Sequence, residues 1–278
     1  MCNQSCSVSV VIPCYKSHLV IRRAVDSVIK QTSIPQEIIL VDDASDDGGF
    51  TINCIQQLRK DYVNSGIKIN SISLANNLGP GGARNCGWDV ATSEYVAFLD
   101  SDDIWHPKKL EYQFGVMKNN PEIDMSAHLG DLIGVKCEEV DQSLEGITYT
   151  SISMTQMFFS NVIQTRSVML KRNIELSFFD DRYSEDYSLW LRLLEAGYNL
   201  VLINKTLAYT FSPPYSQNGL SGALIKMEFG ELKALCGLFK GFKLIIVLVP
   251  LAIIWSMIKF IRRCILTFLR KLKANCNA

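Results

Sequence analysis

Three carboxylates crowd one tetrapeptide, Asp100-Ser101-Asp102-Asp103, directly after the apolar run at residues 95–99. Like charges this close repel each other, and partial burial strengthens the repulsion. Mg²⁺ and Mn²⁺ take oxygen ligands, often one or two carboxylates together with phosphates. Asp100 and Asp102 alternate along an extended strand end and therefore lie on the same side of it. The pattern predicts a divalent metal site, and solvated aspartates in a turn are the alternative.

Further polar residues follow other apolar runs. The run VVIP ends in Pro13, with Tyr15 just beyond it, and EIILVDD ends in Asp42 and Asp43. A carboxylate at such a strand end can accept an N–H group from a nucleotide base. It can equally cap the following loop by accepting backbone N–H groups. The sequence alone leaves these two roles of Asp43 open.

A glycine-rich segment, NNLGPGGARNCG, introduces a helix predicted at residues 81–91. Its glycines allow the backbone to approach phosphates, and Arg84 adds a positive charge on the first helical turn. The spacing is neither G-x-G-x-x-G nor that of a P-loop. The sequence therefore argues against a dinucleotide-binding fold and against a P-loop NTPase.

These motifs need a scaffold that brings several strand ends together. Short apolar runs alternate with segments of helical apolar spacing, which is typical of a mostly parallel sheet covered by helices on both faces. Strands are predicted at residues 7–13, 37–43, 67–74, 95–100 and 200–211, and helices at 18–31, 50–62, 81–91 and 184–198. Open α/β sheets bind their ligands at the carboxyl ends of the strands. The polar motifs all fall there.

The segment SEDYSLWLRLLEAGY, residues 184–198, predicts a helix with Ser184 as its N-cap. Glu185 and Asp186 fall in its first turn, where acids favour the helix dipole by about 0.3–1 kcal/mol. Trp190 lies on the same helix face as Asp186 and is expected to pack in the core rather than stack on a ligand. His106, which precedes a proline after the metal motif, is expected to be exposed.

Composition limits the possible partners. The chain has 278 residues, and its 28 Lys and Arg balance its 28 Asp and Glu, so nothing indicates a nucleic-acid binder. The nine cysteines are scattered without zinc-site spacing and indicate buried thiols in a reducing compartment. No signal peptide is recognisable, so a cytosolic catalytic part is expected.

The order of the motifs over residues 7–215, from VVIPCYK through NNLGPGGARNCG and YVAFLDSDDIWHP to SEDYSLWLRLLEAGY, closely resembles glycosyltransferase family 2. These are inverting transferases of the GT-A fold, a Rossmann-like mixed sheet with flanking helices. The resemblance implies that the nucleoside is held by Pro13, Tyr15 and Asp43, that Arg84 lies near the diphosphate, that Asp100 and Asp102 bind the metal, and that Asp186 is the catalytic base.

Such a base has a clear task. An inverting transfer needs one carboxylate to take the proton from the acceptor hydroxyl, while metal and cation stabilise the leaving nucleoside diphosphate. Glu185 is expected to support the site. The Q-x-x-R-W motif of processive members is missing after Asp186, which favours the addition of one sugar per acceptor.

The C-terminal segment is apolar and basic. Residues 244–258 contain no charge, and a helix of this length reaches ~22 Å, short of a ~30 Å hydrocarbon core. Flanking lysines could extend it to a span, and residues 259–273 mix apolar and basic residues like a helix lying on anionic lipid. A buried pair of soluble helices is the alternative. We expect a catalytic domain at residues 1–225 and a membrane-associating helical segment at 226–278.

The sequence thus predicts a metal-dependent inverting glycosyltransferase at the cytoplasmic face of the inner membrane. Its donor is expected to be a nucleotide-diphosphate sugar, with a UDP-sugar favoured. Its acceptor is expected to be a lipid-linked sugar or a polysaccharide. Two alternatives remain. A nucleotidyltransferase usually has a basic glycine-rich loop after its first strand, where this chain has PCYKSH. A non-catalytic nucleotide-sugar-binding protein on the membrane would not need Asp100, Asp102 and Asp186.

Overall fold

The computed structural model describes residues 4–133, 148–179, 183–211, 224–237 and 250–262. Within them the strands are β1 (Gln4–Cys14), β2 (Ser33–Asp42), β3 (Lys68–Ser73), β4 (Tyr95–Phe98), β5 (Asp103–Trp105), β6 (Met125–Leu132), β7 (Tyr149–Ser151), β8 (Met169–Lys171) and β9 (Leu200–Thr210). The helices are α1 (Ile21–Ile29), α2 (Phe50–Asp61), α3 (Gly79–Asp89), α4 (Lys109–Asn119), α5 (Met154–Phe159), α6 (Glu185–Glu195) and α7 (Leu224–Gly237). A short 3-10 turn occupies Thr165–Ser167, and residues 250–262 are helical.

The described strands form one mixed sheet. Its order is β3-β2-β1-β4-β8-β6-β9-β5, and β7 pairs with β9. The longer strands pair in parallel, in β3-β2-β1-β4 and in β6-β9. Every antiparallel pair includes one of the three-residue strands β5, β7 and β8. The predicted mixed, mostly parallel sheet is confirmed.

Alternation along the strands sends side chains into two cores. Val11 and Phe98 face one side, where they join the core that includes Trp88 of α3 and Leu189 of α6. Their neighbours on the strands face the other side, where they pack with apolar residues of α1, α2 and α4. In α1 these are Ile21, Ala24, Val25 and Val28, one stripe at helical spacing. The strands β1, β2 and β4 are buried on both faces, as their continuous apolar runs predict.

Some element boundaries differ from the sequence prediction. The third helix begins at Gly79 rather than at residue 81, because Pro80 is tolerated in a first turn, where its missing N–H has no intrahelical partner. The prediction that Ser184 caps α6 is wrong. Ser184 has left-handed backbone angles (φ 58°), makes no capping hydrogen bond, and donates its hydroxyl to the Met227 carbonyl of α7 (3.2 Å). Contact with α7 thus determines this helix start.

The helices α7 and 250–262 pack against earlier elements and against each other. The Ser184 hydroxyl donates to the Met227 carbonyl, and the Trp255 indole N–H donates to the Phe159 carbonyl (2.9 Å). Glu228 and Glu231 of α7 accept hydrogen bonds from Ser256 (2.8 Å) and Lys259 (2.6 Å) of the 250–262 helix. The predicted domain boundary, between residues 225 and 226, falls inside α7. Residues 238–249 and 263–278 of the predicted membrane segment lie outside the described residues. Among the helices that are described, none combines the length and apolar character needed to cross a membrane.

Two glycines in helices give a matched test of this packing. A Cβ on Gly87 of α3 would overlap Val11 Cγ1 and lie 3.1 Å from Val41 Cγ2, whereas a Cβ on Gly115 of α4 would meet nothing within 4 Å. We expect Gly87→Ala to lower the free energy of unfolding by about 1–3 kcal/mol through overpacking. Gly115→Ala should raise it by about 0.5–1 kcal/mol, because alanine is the better helix former.

Urea unfolding followed by circular dichroism measures both changes in free energy. Equal effects of the two substitutions would contradict the close approach of α3 to the sheet.

Candidate active site

Parallel pairing brings the polar motifs to one edge of the sheet. In the register, Cys14 lies beside Asp42 and Val11 beside Phe98, so the residues that follow β1, β2 and β4 emerge at the same edge. Tyr15 at this edge is 42% exposed, and Lys16 Nζ lies 5.4 Å from the centroid of its ring. Pro13, two residues earlier, is half-buried at the end of β1.

Asp43 supports the glycine-rich segment. Its Oδ1 accepts a hydrogen bond from the backbone N–H of Leu78 (2.7 Å), and its carbonyl accepts one from the Asn77 side chain (3.0 Å). The side chain is buried, so these bonds hold the start of α3 against the end of β2. This is the loop-supporting role that the sequence left open; the contact with a nucleoside stays a prediction.

Arg84 links the two acidic motifs. One Nη donates to Asp100 Oδ1 (2.6 Å), and the other donates to Glu185 Oε1 (3.1 Å). The guanidinium is almost fully buried beside the ring of Phe178, 5.5 Å from its centroid. Charge-assisted bonds of this kind are strong in a buried setting, because little water competes for them. The structure therefore connects the predicted metal motif to the first turn of α6.

The electrostatics of this link are consistent with a retained positive charge. Burial alone would lower the pKa of Arg84, but the charges of Asp100 and Glu185 more than offset it and the pKa is raised. Burial, and next the charge of Asp186, raise the pKa of Glu185, which Arg84 opposes. Glu185 is buried and bonded to Arg84, so its supporting role in the site is structural.

Besides Asp100, the metal motif contains one solvent-exposed carboxylate and one buried carboxylate. Asp102 is exposed, yet the protein packed around its carboxyl, and then the charge of Asp100, raise its pKa. Asp103 is buried and pairs with Arg166 (Nη1 to Oδ2, 3.3 Å). Mutual repulsion of these acids is the condition that a bound cation relieves.

The available carboxylates fit a metal ion that takes its remaining ligands from a phosphate group and water. In the part of the chain that is described, no three His, Cys, Asp or Glu side chains cluster as a complete metal site. One oxygen of Asp100 is already bonded to Arg84, and Asp102 opens to solvent. Mg²⁺ and Mn²⁺ commonly bind through one or two carboxylates and complete their shell with phosphates and water. Asp100 and Asp102 are the residues that could hold such an ion.

Asp186 lies in the first turn of α6, beside Glu185 but in a different environment. It is half-buried, and each of its carboxylate oxygens accepts one hydrogen bond. Oδ2 accepts from the Thr165 hydroxyl (2.9 Å), and Oδ1 accepts from the backbone N–H of Tyr187 (2.7 Å). A carboxylate held this way keeps further lone pairs for an incoming hydroxyl.

Gly81 serves helix packing in addition to any contact with phosphate. A Cβ at this position would lie 2.8 Å from Glu185 Cγ and 3.0 Å from the carbonyl oxygen of Phe179. Only a residue without a side chain lets α3 approach α6 closely enough for Arg84 to reach Glu185. The predicted phosphate contact of this segment stays a prediction.

Of the predictions for two aromatic side chains near the motifs, one is confirmed and one is wrong. Trp190 is fully buried and packs edge-on against Phe178 (5.8 Å between centroids), so its predicted core role is confirmed. The prediction that His106 is exposed is wrong. His106 is buried directly after β5. Its backbone N–H donates to the Leu207 carbonyl, and its ring Nδ1 accepts from the backbone N–H of Lys108. Pairing of β5 with β9 covers this loop.

Sequence reasoning missed two residues of the site, Thr165 and Arg166. They contact Asp186 and Asp103 from a 3-10 turn that precedes the short strand β8. A turn of three residues has no periodic pattern, so no signal in the chain pointed to them.

Comparison with known proteins supports the predicted family. The family model described as Glycosyl transferase family 2 matches residues 9–161. Amylovoran biosynthesis glycosyltransferase AmsB of Erwinia amylovora is 32% identical over 216 residues, which cover 73% of this chain and 68% of that protein. UDP-Glc:alpha-D-GlcNAc-diphosphoundecaprenol beta-1,3-glucosyltransferase WfgD of Escherichia coli is 31% identical over 201 residues, covering 71% and 73%.

Solved structures share the fold. S. aureus TarS 1-349 in complex with UDP-GlcNAc superposes with a TM-score of 0.65 at 18% identity, covering 84% of this chain and 67% of that one. The full TarS chain is matched over 40% of its length. The mannosyltransferase PcManGT from Pyrobaculum calidifontis, in complex with GDP-Man and Mn²⁺, gives 0.65 at 16% identity, covering 91% and 73%.

The sheet topology and these neighbours confirm the GT-A fold that the sequence predicts. The family match also argues against both alternatives, a nucleotidyltransferase and a non-catalytic binding protein. The chain belongs to glycosyltransferase family 2 and is a glycosyltransferase.

Proposed function

We propose that this enzyme transfers one sugar, with inversion, from a nucleotide-diphosphate sugar to a hydroxyl group of a lipid-linked or polysaccharide acceptor. The observation that supports this most directly is the bridge from Asp100 through Arg84 to Glu185, next to Asp186. It joins a metal-type motif and a candidate base in one site. The name of WfgD gives UDP-glucose as its donor and a diphosphoundecaprenol-linked sugar as its acceptor. A UDP-sugar is the first donor to test here.

The donor would bind along the edge where β1, β2 and β4 end. Tyr15 is open to solvent there, and with Pro13 and Asp43 it would hold the nucleoside. Arg84 would lie near the diphosphate, with its guanidinium held in place by Asp100 and Glu185. Asp100 and Asp102 would hold Mn²⁺ or Mg²⁺. When bound, the ion would supply charge stabilisation to the departing diphosphate.

Asp186 is better placed than Glu185 to act as general base. Glu185 is buried and bonded to Arg84, whereas Asp186 is half-buried and has lone pairs to spare. Asp186 would accept the proton of the acceptor hydroxyl as that oxygen attacks the anomeric carbon and the bond to the diphosphate breaks. A general base of this kind contributes roughly 10²–10⁴-fold to the rate.

The C-terminal segment, residues 226–278, would hold the catalytic domain at the cytoplasmic face of a membrane. One face of the 250–262 helix packs on the protein through Ala252 and Ser256. The other face exposes Ile254, Ile258 and Ile261, each more than half exposed and at helical spacing. The basic residues that follow in sequence complement an anionic lipid surface.

Asp102→Ala tests the metal site. We expect it to abolish sugar transfer and donor hydrolysis while the free energy of unfolding stays at or above the wild-type value, because one carboxylate is removed from a repelling group. Activity of the wild type should require Mn²⁺ or Mg²⁺ and disappear in EDTA. The matched control is Asp89→Ala, which removes an exposed carboxylate at the far end of α3 and should leave activity intact. Wild-type turnover that persists in EDTA would contradict the proposed metal dependence.

Two charges placed on the exposed helix face test the membrane role. We expect Ile254→Glu with Ile258→Glu to release the protein from vesicles of anionic lipid, because each charge must leave water to insert. UDP binding should be retained. Val63→Glu with Val90→Glu adds the same charge at exposed positions elsewhere and should leave vesicle binding unchanged. Sedimentation with vesicles measures the binding of both double variants. Equal release of the two would mean that vesicle binding depends on net charge alone.

A further inference from the structure

Thr165 makes a direct hydrogen bond to the candidate base. Its hydroxyl donates to Asp186 Oδ2 at 2.9 Å, and the residue is 7% exposed, so the hydroxyl faces the carboxylate rather than water. The two residues lie 21 positions apart in the chain. No motif of the donor site includes Thr165.

The turn that holds Thr165 is itself fixed to the metal side of the site. The indole N–H of Trp105 donates to the Arg166 carbonyl (2.8 Å), and Arg166 Nη1 donates to Asp103 (3.3 Å). On the next residue, the Ser167 carbonyl accepts from the Gln113 amide (2.7 Å). These bonds therefore fix the position of the Thr165 hydroxyl relative to β5, the strand that follows the Asp100–Asp102 motif.

A second bond completes the restraint on the base. Asp186 Oδ1 accepts from the backbone N–H of Tyr187 at 2.7 Å, while Oδ2 accepts from Thr165. Two bonds, one to each oxygen, fix the plane of the carboxylate as well as its position. A carboxylate oxygen has two lone pairs, so each oxygen can still accept from a hydroxyl.

We propose that Thr165 is a positioning residue that orients Asp186 toward the acceptor hydroxyl. This inference rests on the proposed role of Asp186 as general base. In the transfer, the acceptor O–H bond breaks and its proton goes to Asp186, while Thr165 keeps its own proton throughout. Its contribution is orientation: a base held in one geometry needs no reorganisation when the acceptor arrives.

Two substitutions at Thr165 separate orientation from packing. Thr165→Val keeps the shape and removes the hydroxyl, and we expect kcat to fall about 10–100-fold, the usual cost of a misplaced catalytic group. The donor KM and the Kd for UDP should stay within about twofold, since such a loss affects the transition state rather than donor binding. Thr165→Ser restores the hydroxyl and should restore most of the rate.

Ser93→Ala is the matched control outside this turn. It also removes one buried hydroxyl, which donates to Gln36 Oε1 (2.8 Å) before the start of β4, at the opposite end of that strand from Asp100. It should leave kcat unchanged. A fall in kcat equal to that of Thr165→Val, or failure of Thr165→Ser to recover the rate, would overturn the positioning role.

Asp186→Asn separates this inference from the function on which it rests. The expected loss is roughly 10²–10⁴-fold in kcat, with UDP binding retained. If Asp186→Asn keeps wild-type turnover, the base assignment fails whatever Thr165 does. If Asp186→Asn is inactive and Thr165→Val turns over normally, only the positioning role fails. In the Asp186→Asn background, Thr165→Val should add no further loss, because the two residues act through one group.

Discussion

The buried guanidinium of Arg84 is the interaction on which the arrangement of the site depends. It joins carboxylates that lie 16 and 101 residues away in the chain, those of Asp100 and Glu185. A buried ion pair is costly to break, about 3–5 kcal/mol when one partner is removed, because the remaining charge stays uncompensated. The metal motif and the start of α6 are thereby held in one geometry. Other features of the site follow from the space and the charges that the Asp100–Arg84–Glu185 bridge requires.

The small size of Gly81 is one such feature, because a Cβ there would collide with Glu185. The division of labour between two adjacent acids is another. Glu185 is buried and neutralises Arg84, so it is committed to structure. Asp186, one residue further along the first turn of α6, is left half-buried with its oxygens oriented by Thr165 and by backbone. Two carboxylates at consecutive positions thus give a support and a candidate base.

Much of the scaffold followed from the sequence, because buried parallel strands are continuous apolar runs and their carboxyl ends share an edge. The contacts formed by short elements did not follow. Burial of His106 depends on pairing of the three-residue strand β5, and the left-handed backbone of Ser184 depends on contact with α7. Thr165 comes from a 3-10 turn without any periodic signal. The ligand roles of Pro13, Tyr15, Asp43, Arg84, Asp100, Asp102 and Asp186 stay predictions, because the chain alone does not show what these side chains bind.

We propose a single displacement at the anomeric carbon, in which Asp186 takes the proton of the acceptor. Such a displacement inverts the configuration of that carbon, since the acceptor oxygen attacks opposite the departing diphosphate. Nuclear magnetic resonance of the purified product measures this directly through the coupling constant of the anomeric proton. From a donor whose sugar is α-linked to its diphosphate, we expect a β-linked product. An α-linked product would rule out a single displacement.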